Sequence, residues 1–469
     1  MDTGIKLVVR AVDLAVRPLR LRMPFRFGAN TLTACPQLFV RVEAEVAGFG
    51  HVTRHATGHA AELMVPKWFD KRPGYTPREN VQHLARSAQN AADAYRGDAP
   101  AAPFELFARH HAALSVQGRE QGMTDLSSAF GAAVIDRAVI DAACRAAGVS
   151  FFAAAHRNLL GIDSRLAPDL AGWEWGAWLP SLQPAQTIEV RHTIGLLDEL
   201  DAVVYGDDGL PVSLRAVIDR YGHRCFKIKL GGDPDADLLR LRAVHAVLAA
   251  AAGDYRHTLD GNEQYANTDA LRQLMAGLRS MPRPMYIEQP VPREPGLPSL
   301  DNPLPASDFA PFLMDEADGT LDAFARGRAK GWTGVSSKGC KGIYKALLNR
   351  ARCDLWNRES GGARYFMSAE DLTCQAGLAV QQDLALVSLL GITHSERNGH
   401  HYGDGFGDAP AAEQAAFNAA HADLYDEHAH LRIEDGCVRI GSLSGPGFAH
   451  AADPDWASLQ SLACAEDAL

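Results

Sequence analysis

From Glu189 onward the chain repeats one unit, a short apolar run followed by a turn and a longer amphipathic stretch. Strand candidates lie at residues 190–197, 225–230, 255–264, 285–289, 312–316, 334–338, 365–371 and 392–396. Between most of them lie segments of helical period at 235–252, 268–279, 321–331, 343–356 and 373–390. Parallel neighbours need a crossover that covers the sheet, and eight strands separated by helices are satisfied by a closed parallel α/β barrel rather than an open sheet. Two segments break the rhythm, 199–211 and the Pro-rich 291–311, and each reads as a lid or a distorted crossover.

The stretch before the barrel has a different character. Residues 5–45 alternate apolar and polar in two runs, with a Pro/Gly break at Met23-Pro24-Phe25-Arg26-Phe27-Gly28, which predicts two antiparallel strands joined by a loop. Ala-rich segments at 80–96 and 127–147 have helical spacing and are expected to pack on that sheet. Residues 158–187, rich in Pro, Trp and Gly, read as a connection between domains. Near the far end, 431–440 with its Asp435-Gly436 turn reads as a terminal hairpin. The domain division expected is 1–157, a connecting segment 158–188, a barrel over 189–410, and 411–469 returning to the first domain.

Composition narrows the partners. The chain has 469 residues, enough for two cores, and a net charge of −11, which disfavours a nucleic-acid or anionic-membrane surface. Eight cysteines without a CxxC pair argue against zinc ribbons and disulfide frameworks and for a reducing compartment. No apolar run approaches the length of a membrane span and Met1–Lys6 lacks a signal-peptide pattern, so a cytoplasmic protein with a small-molecule partner is expected.

Catalytic groups on such a barrel sit at the C-terminal ends of strands. The second strand ends Phe226-Lys227-Ile228-Lys229, and period-two geometry sends both lysines to one face, where mutual repulsion and desolvation should lower the pKa of at least one. The third ends Asp260-Gly261-Asn262, the fourth Glu288-Gln289-Pro290, the fifth Asp315-Glu316 and the sixth Ser336-Ser337-Lys338. Three acids from successive strands suit a hard divalent cation, Mg2+ first and Mn2+ second. A metal that neutralises developing charge beside positioned lysines suits removal of an α-proton next to a carboxylate.

In order and spacing, Lys227-x-Lys229, Asp260-x-Asn262, Glu288-Gln-Pro, Asp315-Glu316 and Lys338 with Lys341 resemble the enolase superfamily, and within it the muconate-lactonizing-enzyme-like subgroup. The likeness extends to 142–149 and to Gly445-Pro446-Gly447. It implies a modified TIM barrel, (β/α)7β, with an α+β capping domain completed by the C-terminus. It further implies Mg2+ on Asp260, Glu288 and Asp315, an acid/base pair of Lys229 and Lys338, and Lys227 holding the substrate carboxylate. The loop 23–28 with Phe25, and the region of Gly50 and His51, would close over the substrate. The reaction expected runs through an enediolate, with racemisation or epimerisation ahead of dehydratase, lyase or cycloisomerase outcomes. A homo-oligomer is implied on the same basis.

Two further classes stay open. A metal-dependent hydrolase would want histidine ligands, of which strand ends one to six offer only His192; a non-catalytic binding member would keep the fold alone. The seventh strand, Met367-Ser368-Ala369-Glu370-Asp371, lacks the histidine of a mandelate-racemase-type dyad, and Lys338-Gly339-Cys340-Lys341-Gly342 departs from the usual apolar pattern. Asn262 and Glu316 read as supports of the site, and His394 as the end of the eighth strand, able to meet substrate. His400 and His401 near Asp404 read as loop histidines ahead of a second metal site, His51, His55 and His59 as surface or substrate contacts ahead of a zinc site on one helix, and 66–71 as a packed turn.

Overall fold

The computed structural model describes residues 4–50, 52–293 and 309–465. The chain opens on an antiparallel meander, β1 (Lys6–Phe27), β2 (Asn30–Phe49) and β3 (Val52–Leu63). In β2, Leu38, Val40, Val42, Ala44 and Val46 are all buried, the single face that period-two spacing gives a half-covered strand. The break expected at 23–28 is a register shift between Arg20 and Phe25 rather than a loop, and the turn falls at Gly28, whose φ is +53°. The third strand was not evident in the sequence. Its first half is largely exposed and its second half buried on both sides, so no alternation marks it.

Helices α1 (Pro77–Tyr95), α2 (Pro103–Glu120) and α3 (Asp125–Ala147) pack beside this sheet. A capping box between Thr76 and Glu79, with Pro77 at the first helical position, fixes the start of α1. α3 is apolar and buried around nearly its whole circumference, as a helix enclosed between layers must be. Its approach to β3 is close: a Cβ on Gly58 would lie 2.0 Å from the Ala138 carbonyl oxygen.

The barrel consists of β4 (Thr187–Ile194), β5 (Cys225–Lys229), β6 (Arg256–Asp260), β7 (Ile287–Glu288), β8 (Phe312–Met314), β9 (Trp332–Ser337), β10 (Phe366–Ala369) and β11 (His394–Glu396). All eight are parallel, and β11 pairs with β4 through Ser395 and Val190 to close the ring. Helices such as Pro234–Ala251, Ile343–Ser360 and Leu378–Leu389 form the outer layer. The architecture is thus a modified TIM barrel with an α+β cap, and Gln460–Ser461 adds a short strand to β1 of that cap.

One expectation changes, and of the two irregular segments only 199–211 lies wholly within the described residues. The residues expected to form a terminal hairpin supply β12 (Cys437–Arg439), which pairs instead with the base of β4, where fully buried Val438 meets Ile188. Only one bridge, Glu434 to Cys437, remains of the hairpin. The 199–211 segment is fastened to β1: Arg22 donates to Asp208 at 2.5 and 2.8 Å and to the carbonyls of Leu210 and Pro211. Most of 291–311, by contrast, lies outside the described residues. Among the described residues no helix is long and apolar enough to cross a membrane, and the cysteines are free thiols.

Candidate active site

Inward-facing side chains at the strand ends build one charged layer. Lys227 and Lys229 are 1% and 5% exposed, and Asp260, Glu288 and Asp315 are buried completely or nearly so. Lys227 Nζ lies 2.8 Å from Glu288 Oε1, 2.7 Å from Glu370, 2.9 Å from Asp260 and 3.0 Å from Glu396. Lys229 donates to Asp260 at 2.6 Å and to the Asn262 amide oxygen at 2.9 Å. Asp315 accepts from Lys338 at 2.8 Å and from the Ser336 hydroxyl at 2.5 Å, with Lys341 3.2 Å away. Lys338 extends from the end of β9, four strands around an eight-stranded ring from β5, so Lys229 and Lys338 project from opposite walls.

The electrostatics of Lys227 run opposite to the expectation from lysine repulsion. Burial works against its charge, but Asp260, Glu288, Glu370 and Glu396 outweigh it and hold the pKa well above that of a free lysine. Lys338 is likewise raised: burial opposes its charge and Asp315 overcomes that. Glu288 moves the other way, its carboxyl pushed well up by burial and by the neighbouring charges of Asp260 and Glu370. Its Oε2 lies 2.8 Å from Lys227 Nζ yet receives no hydrogen bond of acceptable direction. A buried carboxylate crowded by two others, with a free lone pair, marks a place short of positive charge. Hard oxygen donors from three adjacent strands are the set a divalent cation of the magnesium class takes, so these residues fit such an ion.

Several groups at the site were not singled out in the sequence. Glu370 and Glu396, at the ends of β10 and β11, complete the cage around Lys227, and Arg191 on β4 donates to Glu370 at 2.5 Å. The alternation that identified Lys227 and Lys229 also relates Ser368 to Glu370 and His394 to Glu396. His394 does not reach the mouth: it begins β11 beside Glu189, where its Nδ1 lies 2.6 Å from Arg191, so Glu396 takes the position assigned to it.

The roof comes from the cap. Phe25 is buried 5.8 Å from Lys229 Nζ and packs on Tyr402. His51 lies outside the described residues, and Gly50 stands in the β2–β3 turn, at the opposite end of the sheet from Phe25. The covering residue is Trp68, whose ring lies 4.3 Å from Lys338 Nζ, in the segment expected to be only a packed turn. Phe25, Trp68, Lys227, Lys229, Lys338, Asn262 and Glu396 line one cavity.

A second layer clamps this roof to the barrel. Lys71 bridges Glu316 at 2.9 Å and Glu263 at 2.7 Å, while Arg293 pairs with Glu263 and donates to the carbonyls of Trp68 and Phe69 at 2.7 and 2.8 Å. Asn262 donates to Glu316 at 3.2 Å and, at φ +41°, turns the chain so that Lys229 meets its side chain. The unusual run after Lys338 also has a physical reason. Gly339 donates to Asp383, and a Cβ there would sit 3.3 Å from Arg137 of α3 and 3.5 Å from Glu62.

Residues 210–337 match the family model of enolase C-terminal domain-like proteins. The hydrophobic dipeptide epimerase of Citrifermentans bemidjiense is 25% identical over 437 residues, covering 90% of this chain and 94% of that protein. Among solved structures, a Bradyrhizobium enolase complexed with magnesium and mandelic acid superposes with a TM-score of 0.58 at 19% identity, covering 97% of each chain. A dipeptide epimerase from Enterococcus faecalis V583, complexed with Mg and the dipeptide L-Leu-L-Tyr, gives 0.59 at 15% identity, covering 94% of this chain and 99% of that one.

Proposed function

The chain belongs to the enolase superfamily, among proteins like mandelate racemase and muconate lactonizing enzyme, whose members are isomerases or lyases; from that premise we propose that it epimerises a carboxylate substrate by Mg2+-dependent removal of its α-proton. The observation that carries this reading is the placement of Lys229 and Lys338 on opposite walls of one roofed cavity. A proton taken from one face and returned to the other inverts the carbon between them.

Asp260, Glu288 and Asp315 would hold the metal, which supplies positive charge to the substrate carboxylate as the α-carbon loses its proton. Lys338 donates to Asp315, and a cation that shared that carboxylate would weaken its hold on the lysine's proton. Lys229 is positioned by Asp260 and Asn262 and Lys338 by Trp68, so each ammonium has a fixed direction. Lys227, bound by four carboxylates, is set to position charge rather than to exchange protons. Phe25 and Trp68 make the roof apolar, which excludes water and favours a hydrophobic substituent. The similarity to a hydrophobic dipeptide epimerase supports dipeptides as the first substrates to try.

The test is α-proton exchange followed by NMR in D2O, with dipeptides, N-acyl amino acids and sugar acids as candidates. Deuterium should enter the α-position in the presence of Mg2+, and Lys229→Ala or Lys338→Ala should slow exchange by about 10²–10⁴-fold. Full activity in Asp260→Ala would sink the metal assignment. Exchange unaffected by either lysine variant would sink the proposed base pair.

A further inference from the structure

Arg191 and Thr193 point into the barrel, so His192 between them points outward, toward the helical layer. Two more histidines meet it there. His223 lies in the turn before β5, and His400 in the short helix Gly399–Tyr402 after β11. Since β11 and β4 close the ring, these positions converge at its seam. Ligand atoms of the three rings all lie within 4.8 Å of one another.

These nitrogens lack partners. His192 Nδ1 and both ring nitrogens of His223 and His400 are buried without a hydrogen bond, and the His192 and His223 side chains are 1% and 0% exposed. Buried polar groups are almost always paired, so a cluster of such nitrogens in one spot calls for an occupant. One His223 nitrogen faces the Val190 carbonyl without a well-formed hydrogen bond, which favours a proton there and leaves the other nitrogen as a lone pair.

We propose that His192, His223 and His400 form a second metal site, for a borderline divalent transition ion with zinc the best fit, separate from the carboxylate site. Imidazole nitrogen suits zinc, nickel, copper and cobalt, whereas carboxylate oxygen suits magnesium, so donor chemistry keeps the two sites apart. A tetrahedral zinc site has nitrogens about 3.4 Å apart on bonds of about 2.0–2.1 Å, so ligand atoms up to 4.8 Å apart here would draw together on binding. The fourth position falls to water, or to His401, whose ring centroid is 4.8 Å from that of His192. Such an ion would pin the closing strand to the first strand. It would also pin the helix whose His401 carbonyl accepts from Arg22 of the cap at 2.8 Å.

The probe is the metal alone. Full-length protein, stripped with chelator and returned to saturating Mg2+, should take up one further equivalent of Zn2+ and raise its melting temperature. Co2+ in its place should give the visible absorption of a four-coordinate nitrogen site. His223→Ala and His192→Ala should weaken Zn2+ binding by at least about a hundredfold, while Asp260→Ala leaves it unchanged. Should the histidine variants not fold, Cu2+ bound to the unaltered protein decides: hyperfine coupling to three imidazole nitrogens in its electron paramagnetic resonance supports the site, and coupling to two at most, as the separate His59, His450 and Asp453 cluster would give, or an oxygen-only spectrum, overturns it. No uptake beyond Mg2+, or uptake lost in Asp260→Ala but kept in His223→Ala, would also overturn it.

Discussion

Lys227 and Lys229 stand two residues apart on one strand, and their surroundings give them different work. Lys227 is the counter-ion of a buried acidic cage formed by Asp260, Glu288, Glu370 and Glu396. Lys229 pairs with one carboxylate, Asp260, and lies beneath Phe25 in the cavity. Lys227→Met in magnesium-free protein therefore strands buried carboxylates and is expected to cost about 3–5 kcal/mol in urea unfolding, whereas Lys229→Ala should cost far less while removing exchange. Equal stabilities for the two variants would refute the division. The lysines and the three acids were legible in the sequence because alternation and strand order are enough to make them converge. Glu370 and Glu396 were within reach of the same reading. Trp68 was not, since nothing local shows that a turn sixty residues into the chain covers a lysine more than two hundred residues later.

At the scale of elements, the informative contact is the clamp between the 66–71 segment and the barrel mouth. Burial alone would raise the pKa of Glu263, but Lys71 and Arg293 lower it from 4.5 to about 2. A carboxylate depressed in the folded state contributes stability that is fully present above its unfolded pKa and is lost as pH falls through the folded value. Glu263→Gln should thus lose on the order of 3 kcal/mol at pH 7, and the gap from the unaltered protein should shrink between about pH 4.5 and 2. A gap that does not change with pH would show that the clamp is not ionic. The eight barrel strands and most of their helices followed from periodicity. β3 escaped because it is exposed at one end and doubly buried at the other, and β12 because its partner is β4, distant in sequence.

For the whole molecule, the governing group is Glu288, a buried carboxylate whose Oε2 receives no hydrogen bond. A divalent ion that binds only the folded state stabilises it by about 2.7 kcal/mol at a hundredfold excess over Kd. Mg2+ is therefore expected to raise the melting temperature, and Glu288→Ala or Asp315→Ala to abolish the rise. An equal rise in those variants would place the stabilising ion elsewhere. The helix α3 carries a different consequence. It is buried against the cap on one side, and its Arg137 reaches the turn behind Lys338 on the other. The cap is consequently not an interchangeable module: a chimera joined at residue 157 would import a foreign α3, replacing the support behind Lys338 along with the roof. Redesign of substrate preference in this scaffold is better pursued by single changes at the roof than by recombination of domains.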